Sequence, residues 1–198
     1  GKILLDIDST HPNIFPDGWR ERSEEARIDV LLSIKGDVNI KLLTHELAND
    51  TLSSMQSIKG IQARNGELGC HRYIISNCSG AYDMAVMIAL FRLSGWTDDP
   101  ITVDLVPLFE TVTDLAGAGP NMTRLYELPL YAEHLARRKN KQTVMLGFSD
   151  GTKDGGYLMA NWGIYKAKED ITFVSRAATV EVAYVDGLGG LSDSDTHL

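Results

Sequence analysis

Carboxylates and a lysine follow several apolar runs of this sequence. Glu110 comes directly after "VPLF", and Asp150 follows "VMLGFS" with Lys153 three residues beyond it. Asp186 follows the run "VEVAYV". Carboxylates that converge from separate strands suit a hard divalent cation such as Mg²⁺ or Mn²⁺, with a phosphate-bearing substrate completing its coordination. These residues therefore predict a metal-dependent site for an anionic substrate.

Lys153 and nearby glycines add features that suit an anion. A lysine supplies a mobile positive charge for a phosphate or a developing enolate, and glycines let backbone N–H groups approach it closely. Such glycines follow Asp186 at Gly187, Gly189 and Gly190. The segment "GFSDGTKDGG" does not have the spacing of a nucleotide-binding P-loop, because neither Ser nor Thr follows its lysine.

Each candidate also has a purely structural interpretation. Asp150 in "SDGT" can cap the next helix or form a turn, and Lys153 can be an ordinary solvated lysine. Glu110 can be a surface residue at a strand end. A carboxylate straight after a buried run is costly, however, unless it is paired or bound to a metal. The residues alone leave these alternatives open.

Short apolar runs bounded by turn residues predict strands that are buried on both faces. Functional groups of parallel sheets lie at the carboxyl ends of strands, which adds Asp6, Asp8, Ser76 and Asn77 to the candidates. The predicted strands are "KILLDID" at 2–8, "HRYIISNCS" at 71–79, "ITVDLVPLFET" at 101–111, "QTVMLGFSD" at 142–150 and "VEVAYVDGLGG" at 180–190.

Helical patterns lie between the predicted strands, and their alternation predicts an α/β protein with a parallel sheet. In one of them, Met84, Ile88 and Phe91 fall on a single face. A complete eight-unit barrel needs roughly 250 residues, so this chain of 198 residues fits a partial or compacted barrel in one domain, 1–198. The helical patterns cover 43–66, 80–96, 121–141 and 155–178.

Composition argues against several classes of partner. The net charge is −8, and the basic residues are scattered apart from "HLARRKNK" at 134–141, so we expect no nucleic-acid partner. No apolar stretch approaches the roughly 20 residues that cross a bilayer, and no secretory signal is recognisable. Cys70 and Cys78 fit neither a metal knuckle nor a disulfide framework. We therefore expect a cytoplasmic protein with reduced thiols and no membrane partner.

Three long blocks, in order, resemble signature blocks of the phosphoenolpyruvate carboxylase family in its bacterial form. They are "GELGCHRYIISNCSGAYDM" at 66–84, "VPLFETVTDL" at 106–115 and "QTVMLGFSDGTKDGGYLMANWGIYKAKE" at 142–169. The resemblance runs from about Ile58 to Val185 and continues more weakly over "LLDIDSTH" and "DGLGGLSDSDTH".

The resemblance implies a TIM-type (β/α) barrel that joins bicarbonate to phosphoenolpyruvate and gives oxaloacetate and phosphate. It implies Mg²⁺ or Mn²⁺ bound by Glu110 and Asp150, with Lys153 near the substrate phosphate. We add Asp186 to Lys153 as a candidate catalytic residue and expect the three glycines after Asp186 to contact substrate. The family also implies a homo-oligomer.

The sequence departs from the family pattern at two blocks. The early block lacks the arginine that usually precedes "DS", and Leu188 stands where the family usually has an arginine in "GRGG". Either the chain is an excerpt of a longer protein, or it is a shortened relative. In the second case it would bind the metal or phosphoenolpyruvate without catalysis, because leucine cannot hold an anionic oxygen.

Overall fold

The computed structural model describes residues 1–76, 78–97, 99–147 and 149–186, without the side chains of residues 149–155, 157 and 186. Seven helices and four strands are assigned within these ranges. The helices are α1 (Lys2–Thr10), α2 (Glu24–Ser33), α3 (Glu46–Asn65), α4 (Ala81–Phe91), α5 (Val112–Tyr126), α6 (Pro129–Arg137) and α7 (Ser149–Ala177). The strands are β1 (Arg72–Ile75), β2 (Asp104–Phe109), β3 (Lys141–Leu146) and β4 (Glu181–Asp186).

The strands form one parallel sheet in the order β1-β2-β3-β4, so each strand pairs with the next one along the chain. This confirms the predicted α/β class with a parallel sheet. The inner strands β2 and β3 are buried over most of their length, as continuous apolar runs predict. The four assigned strands match four of the five predicted runs.

A proline in the central strand β2 has a local compensation. Pro107 has no N–H to donate to a ladder, and the β2–β3 register begins at the next residue, Leu108. The buried side chain of Gln142 in β3 donates from Nε2 to the carbonyl oxygen of Leu105, at 3.1 Å. The hydroxyl of Tyr131 donates to Oε1 of the same glutamine. This buried amide therefore connects the two strands where the backbone ladder is absent.

The residues group into two compact units. The first comprises Gly1–His71 and Ala85–Val103, and the second comprises Arg72–Met84 together with the residues from Asp104 onward. All four strands belong to the second unit. The single domain inferred from the sequence stays a prediction.

The predicted strand "KILLDID" is wrong, because these residues lie in helix α1 of the first unit. Leu4 and Ile7 are buried one helical turn apart, and α1 packs against α3. A short apolar run does not distinguish a strand from one face of a helix. Asp6 and Asp8 are therefore helical residues and do not end a strand.

The predicted helix at 121–141 is two helices in the structure. Helix α5 begins much earlier, at Val112, and α6 begins at Pro129. Proline suits the first turn of a helix, where its missing N–H costs nothing, and it disrupts a helix interior. The end of the predicted helix is wrong as well, because 141 already belongs to β3.

Helices α5 and α7 pack closely in the second unit. A Cβ atom on Gly119 of α5 would lie 3.0 Å from Cβ of Asp170 in α7, so the glycine permits the approach of the two helices. The hydroxyls of Tyr126 and Ser175 are 2.8 Å apart across the same pair. This packing fixes two helices that begin just beyond the carboxyl ends of β2 and β3.

Candidate functional site

The carboxyl ends of three adjacent strands lie side by side. Phe109 of β2 is in register with Leu146 of β3, and Leu146 is in register with Asp186 of β4. The N–H of Gly147 donates to the carbonyl oxygen of Phe109 at 2.8 Å, which continues the pairing one residue beyond β3. The backbone that follows β2 is thus held against the backbone that follows β3.

Glu110 occupies the first position after β2 and is half-buried. A Cβ atom built on the buried Gly147 would lie 3.2 Å from both Cα and Cγ of Glu110. Within the described part of the chain, its carboxylate has no hydrogen bond and no ion pair. The oxygens of Glu110 are therefore not committed to a structural partner there.

Thr111 fixes the backbone directly after Glu110. Its hydroxyl accepts from the N–H of Asp114 at 3.1 Å, and the Asp114 carboxylate accepts from the N–H of Thr111 at 3.2 Å. This reciprocal capping box starts α5, so Glu110 lies between a paired strand and a capped helix. This capping box is not among the sequence predictions, although the "TVTD" spacing is its signal.

Asp150 and Lys153 lie in helical backbone at the start of α7, only a few residues after Gly147. The helix is interrupted at Gly156, whose φ of 77° is a left-handed conformation that favours glycine. The side chains of Asp150, Lys153 and Asp186 lie outside the described residues, as do Gly187, Gly189 and Gly190 entirely. The structure thus places the backbone segments that carry these residues close to one another. That their carboxylates bind one metal ion stays a prediction.

The segment after β1 is anchored beside the same edge. The N–H of Cys78 donates to the carbonyl oxygen of Leu108 at 3.4 Å. Nδ2 of Asn121 in α5 donates to the carbonyl oxygen of Ser79 at 2.6 Å, and Asp83 accepts from both the N–H and the hydroxyl of Ser79. Ser76 directly follows β1, and Asn77 lies outside the described residues. No local sequence pattern indicates the contact of Asn121.

Asp6, expected at a strand end, is a buried hydrogen-bond acceptor in helix α1 of the first unit. Its buried carboxylate accepts from the N–H and the hydroxyl of Thr44 and from the N–H of His45, at the start of α3. Burial alone would raise its pKa, but the hydrogen bonds from Thr44 and His45 outweigh burial and lower the pKa. Asp8 pairs instead with Arg20, at 3.2 Å. Neither residue ends a strand.

The donor chemistry suits a hard divalent cation. Glu110 offers uncommitted carboxylate oxygens, and Asp150 and Asp186 follow in neighbouring segments. Oxygen donors of this kind are those that Mg²⁺ and Mn²⁺ prefer. Among the residues searched, those that the structure describes, no group of three or more potential ligands forms a complete cluster. The residue types present fit the ion, and Glu110 is the candidate ligand whose surroundings the structure describes.

These features define an α/β protein whose acidic residues follow adjacent parallel strands, at the edge where such sheets bind ligands. The phosphoenolpyruvate carboxylase family model matches residues 11–192. The chain belongs to the phosphoenolpyruvate carboxylase family. No helix in the ranges that the structure covers is both long and apolar enough to cross a membrane.

Individual relatives support the same family. A phosphoenolpyruvate carboxylase of Nitrosomonas europaea is 41% identical over 180 residues, which cover 87% of this chain and 19% of the relative. One of Gloeobacter violaceus is 34% identical over 179 residues, with coverage of 87% and 19%. One of Nocardia farcinica is 33% identical over 198 residues, with coverage of 94% and 21%. The chain spans about a fifth of the length of these curated relatives.

Proposed function

We propose that this chain provides part of the catalytic barrel of a phosphoenolpyruvate carboxylase, which converts phosphoenolpyruvate and bicarbonate into oxaloacetate and phosphate. Family membership supports the reaction, and one structural observation supports the site. Glu110 follows a buried parallel strand, lies against the end of the next strand, and has no partner among the described residues. This arrangement suits a carboxylate that binds a metal.

The strand order supports a partial TIM-type barrel in a single domain, 1–198. Each strand pairs with its successor, and the connections from β2 to β3 and from β3 to β4 run through α5, α6 and α7. Crossover connections between parallel strands are almost always right-handed, so connections that advance in one direction leave their helices on one face. A sheet of this kind, with helices on one face, is the repeating unit of a (β/α) barrel.

Glu110 and Asp150 would hold Mg²⁺ or Mn²⁺ in this proposal. The bound ion would supply positive charge at the oxygens of the reacting anions. Lys153 would place its ammonium group near the phosphate of the substrate, and Asp186 would orient a reacting group from the neighbouring strand end. The N–H groups of Gly187, Gly189 and Gly190 would approach an anionic oxygen. We also propose a cytoplasmic homo-oligomer, by analogy with the family.

The proposal is tested by Mn²⁺ binding to the purified chain, measured from the free-ion signal in electron paramagnetic resonance. We expect Glu110→Gln and Asp150→Asn each to weaken binding by about 10-fold or more, because each removes a charged ligand. Glu181→Gln is the matched control, since Glu181 begins β4 at the opposite end of the sheet and forms an exposed ion pair with Lys141. Glu181→Gln should bind Mn²⁺ as tightly as the wild type.

Turnover is then measured as bicarbonate-dependent oxaloacetate formation, coupled to oxidation of NADH by malate dehydrogenase. Activity that is lost in Glu110→Gln and kept in Glu181→Gln supports the full proposal. Mn²⁺ binding without turnover would instead identify a non-catalytic binding fragment. Absence of Mn²⁺ binding in the wild type would overturn the metal site.

A further inference from the structure

We infer that Gly147 is a positioning residue for Glu110, the metal ligand of the proposed function on which this inference rests. Gly147 is buried, and a Cβ atom at this position would lie 3.2 Å from Cα, 3.2 Å from Cγ and 3.5 Å from Cβ of Glu110. Contacts of 3.2 Å are tighter than nine in ten contacts of real Cβ atoms. Any side chain at this position would therefore press on Glu110.

The glycine is required by this contact and not by its backbone conformation. Five glycines of the described chain have positive φ, and Gly147 is not one of them. The φ of Gly147 therefore lies outside the left-handed region that favours glycine. The methyl group of an alanine would fit only if Glu110 shifted by a few tenths of an ångström, and the nearest atoms include a backbone Cα that cannot rotate away.

Both sides of the contact are held by hydrogen bonds. The N–H of Gly147 donates to the carbonyl oxygen of Phe109 at 2.8 Å, so Gly147 cannot retreat without losing that bond. Thr111 is held by its reciprocal hydrogen bonds with Asp114. Glu110 is the residue between these fixed points. A methyl group on residue 147 would therefore displace Glu110 itself.

The position of Gly147 in the chain gives this contact a functional meaning. Gly147 follows β3 directly, and Asp150 comes three residues later at the start of α7. The same short segment thus contacts one proposed ligand and carries the other. The absence of a side chain at residue 147 sets how closely the Glu110 backbone approaches the segment of Asp150, and hence whether both carboxylates reach one ion.

The test compares Gly147→Ala with Gly163→Ala, a matched control in α7. A Cβ atom on Gly163 would lie 3.4 Å from Cδ1 of Leu115, a side-chain atom that can move. We expect Gly147→Ala to weaken Mn²⁺ binding by about 10- to 100-fold, as loss of a residue that orients a metal ligand does. Gly163→Ala should leave it unchanged. In a Glu110→Gln background, Gly147→Ala should cause no additional loss.

A metal-independent measurement accompanies the binding data. The side-chain ¹³C resonances of Glu110 should shift in Gly147→Ala and stay in place in Gly163→Ala, without any Mn²⁺ present. The drop in Tm caused by Gly147→Ala should also be smaller in a Glu110→Ala background, because the contact with Cγ is gone.

The outcomes separate the two proposals. If Glu110→Gln weakens Mn²⁺ binding and Gly147→Ala does not, only the positioning role is overturned. If the wild type binds no Mn²⁺, the metal site fails and the positioning role fails with it. If Gly147→Ala does not fold, the double variant with Glu110→Ala decides, because it removes the contact with Cγ and keeps the contact with Cα. Recovery of folded protein supports positioning of the Glu110 side chain, and no recovery places the clash on the backbone and overturns that role.

Discussion

Replacing Asp6 by asparagine should lower stability and leave metal binding intact. Three donors converge on the Asp6 carboxylate: the N–H and the hydroxyl of Thr44, and the N–H of His45 at 3.0 Å. They tie α1 to the start of α3, where a negative charge also interacts favourably with the helix dipole. Asparagine has nearly the same shape and can still accept one or two of these bonds, but it carries no charge.

The expected cost of Asp6→Asn is about 1–2 kcal/mol at pH 7, the difference between hydrogen bonds to a charged and to a neutral acceptor. The pKa of Asp6 in the folded chain lies below its ordinary value of 3.8. The unfolded chain therefore binds this proton more readily, and the stabilisation is present above pH 3.8 and lost as pH falls through the folded pKa. The gap between wild type and Asp6→Asn should narrow accordingly in acid.

Urea denaturation followed by tryptophan fluorescence measures this gap, because Trp19 and Trp96 are buried in the unit that contains Asp6. Asp8→Asn is the control. Asp8 pairs with Arg20, which is 54% exposed, and asparagine keeps a side-chain oxygen that can accept from Nε1 of Trp19, so its replacement should cost less than about 1 kcal/mol. An Asp6→Asn variant as stable as wild type at pH 7, or a difference in stability that widens in acid, would refute the stabilising role of the Asp6 carboxylate. Loss of Mn²⁺ binding in Asp6→Asn would indicate that Asp6 contributes to the metal site.

Two further predictions concern the second unit. Tyr131→Phe should lower the free energy of unfolding by about 1–2 kcal/mol, because it leaves the buried Oε1 of Gln142 without its donor. Urea denaturation measures this loss, and an unchanged midpoint would contradict it. Cys78 should react with iodoacetamide far more slowly than Cys70 at pH 8, as followed by peptide mass spectrometry. Burial, and next the charge of Asp83, raise the pKa of Cys78 to about 12; equal rates would show that the thiol is accessible.

Local patterns predicted most of the sheet and the helices that have strong periodicity. The runs that became β2 and β3 are apolar over consecutive residues, and both strands are buried. Met84, Ile88 and Phe91 share one face of the predicted helix, and all three are buried. These elements were predictable because burial on both faces of a strand produces consecutive apolar residues, and burial of one face of a helix produces apolar residues at helical spacing.

Elements decided by tertiary contacts were not predictable from local patterns. The first residues of the chain form a helix that packs against α3, buries Leu4 and Ile7, and lets Asp6 accept from the N–H of His45. The residue order of the run itself does not indicate these contacts. The start of α5 was missed for a different reason. Its capping box, Thr111 with Asp114, was present in the sequence but was absorbed into the predicted end of a strand.

The candidate site shows the same division. The rule that function follows strand ends selected Glu110, Asp150 and Asp186, whose backbones lie at the same edge of the sheet or directly beyond it. Gly147 escaped attention because its role depends on the register between β2 and β3. That register brings Glu110 next to a glycine that is distant from it in the chain.

The strand order carries a consequence for how the sheet assembles. The strands β2, β3 and β4 each pair with the strand just before them in the chain. Each new pairing therefore closes only the segment of chain between two consecutive strands. Closing a short loop costs less entropy than bringing distant strands together, and local topologies fold faster. During synthesis, which proceeds from the N-terminus, each of β2, β3 and β4 would leave the ribosome after the strand with which it pairs. The sheet can thus grow by one strand at a time, in the order of translation.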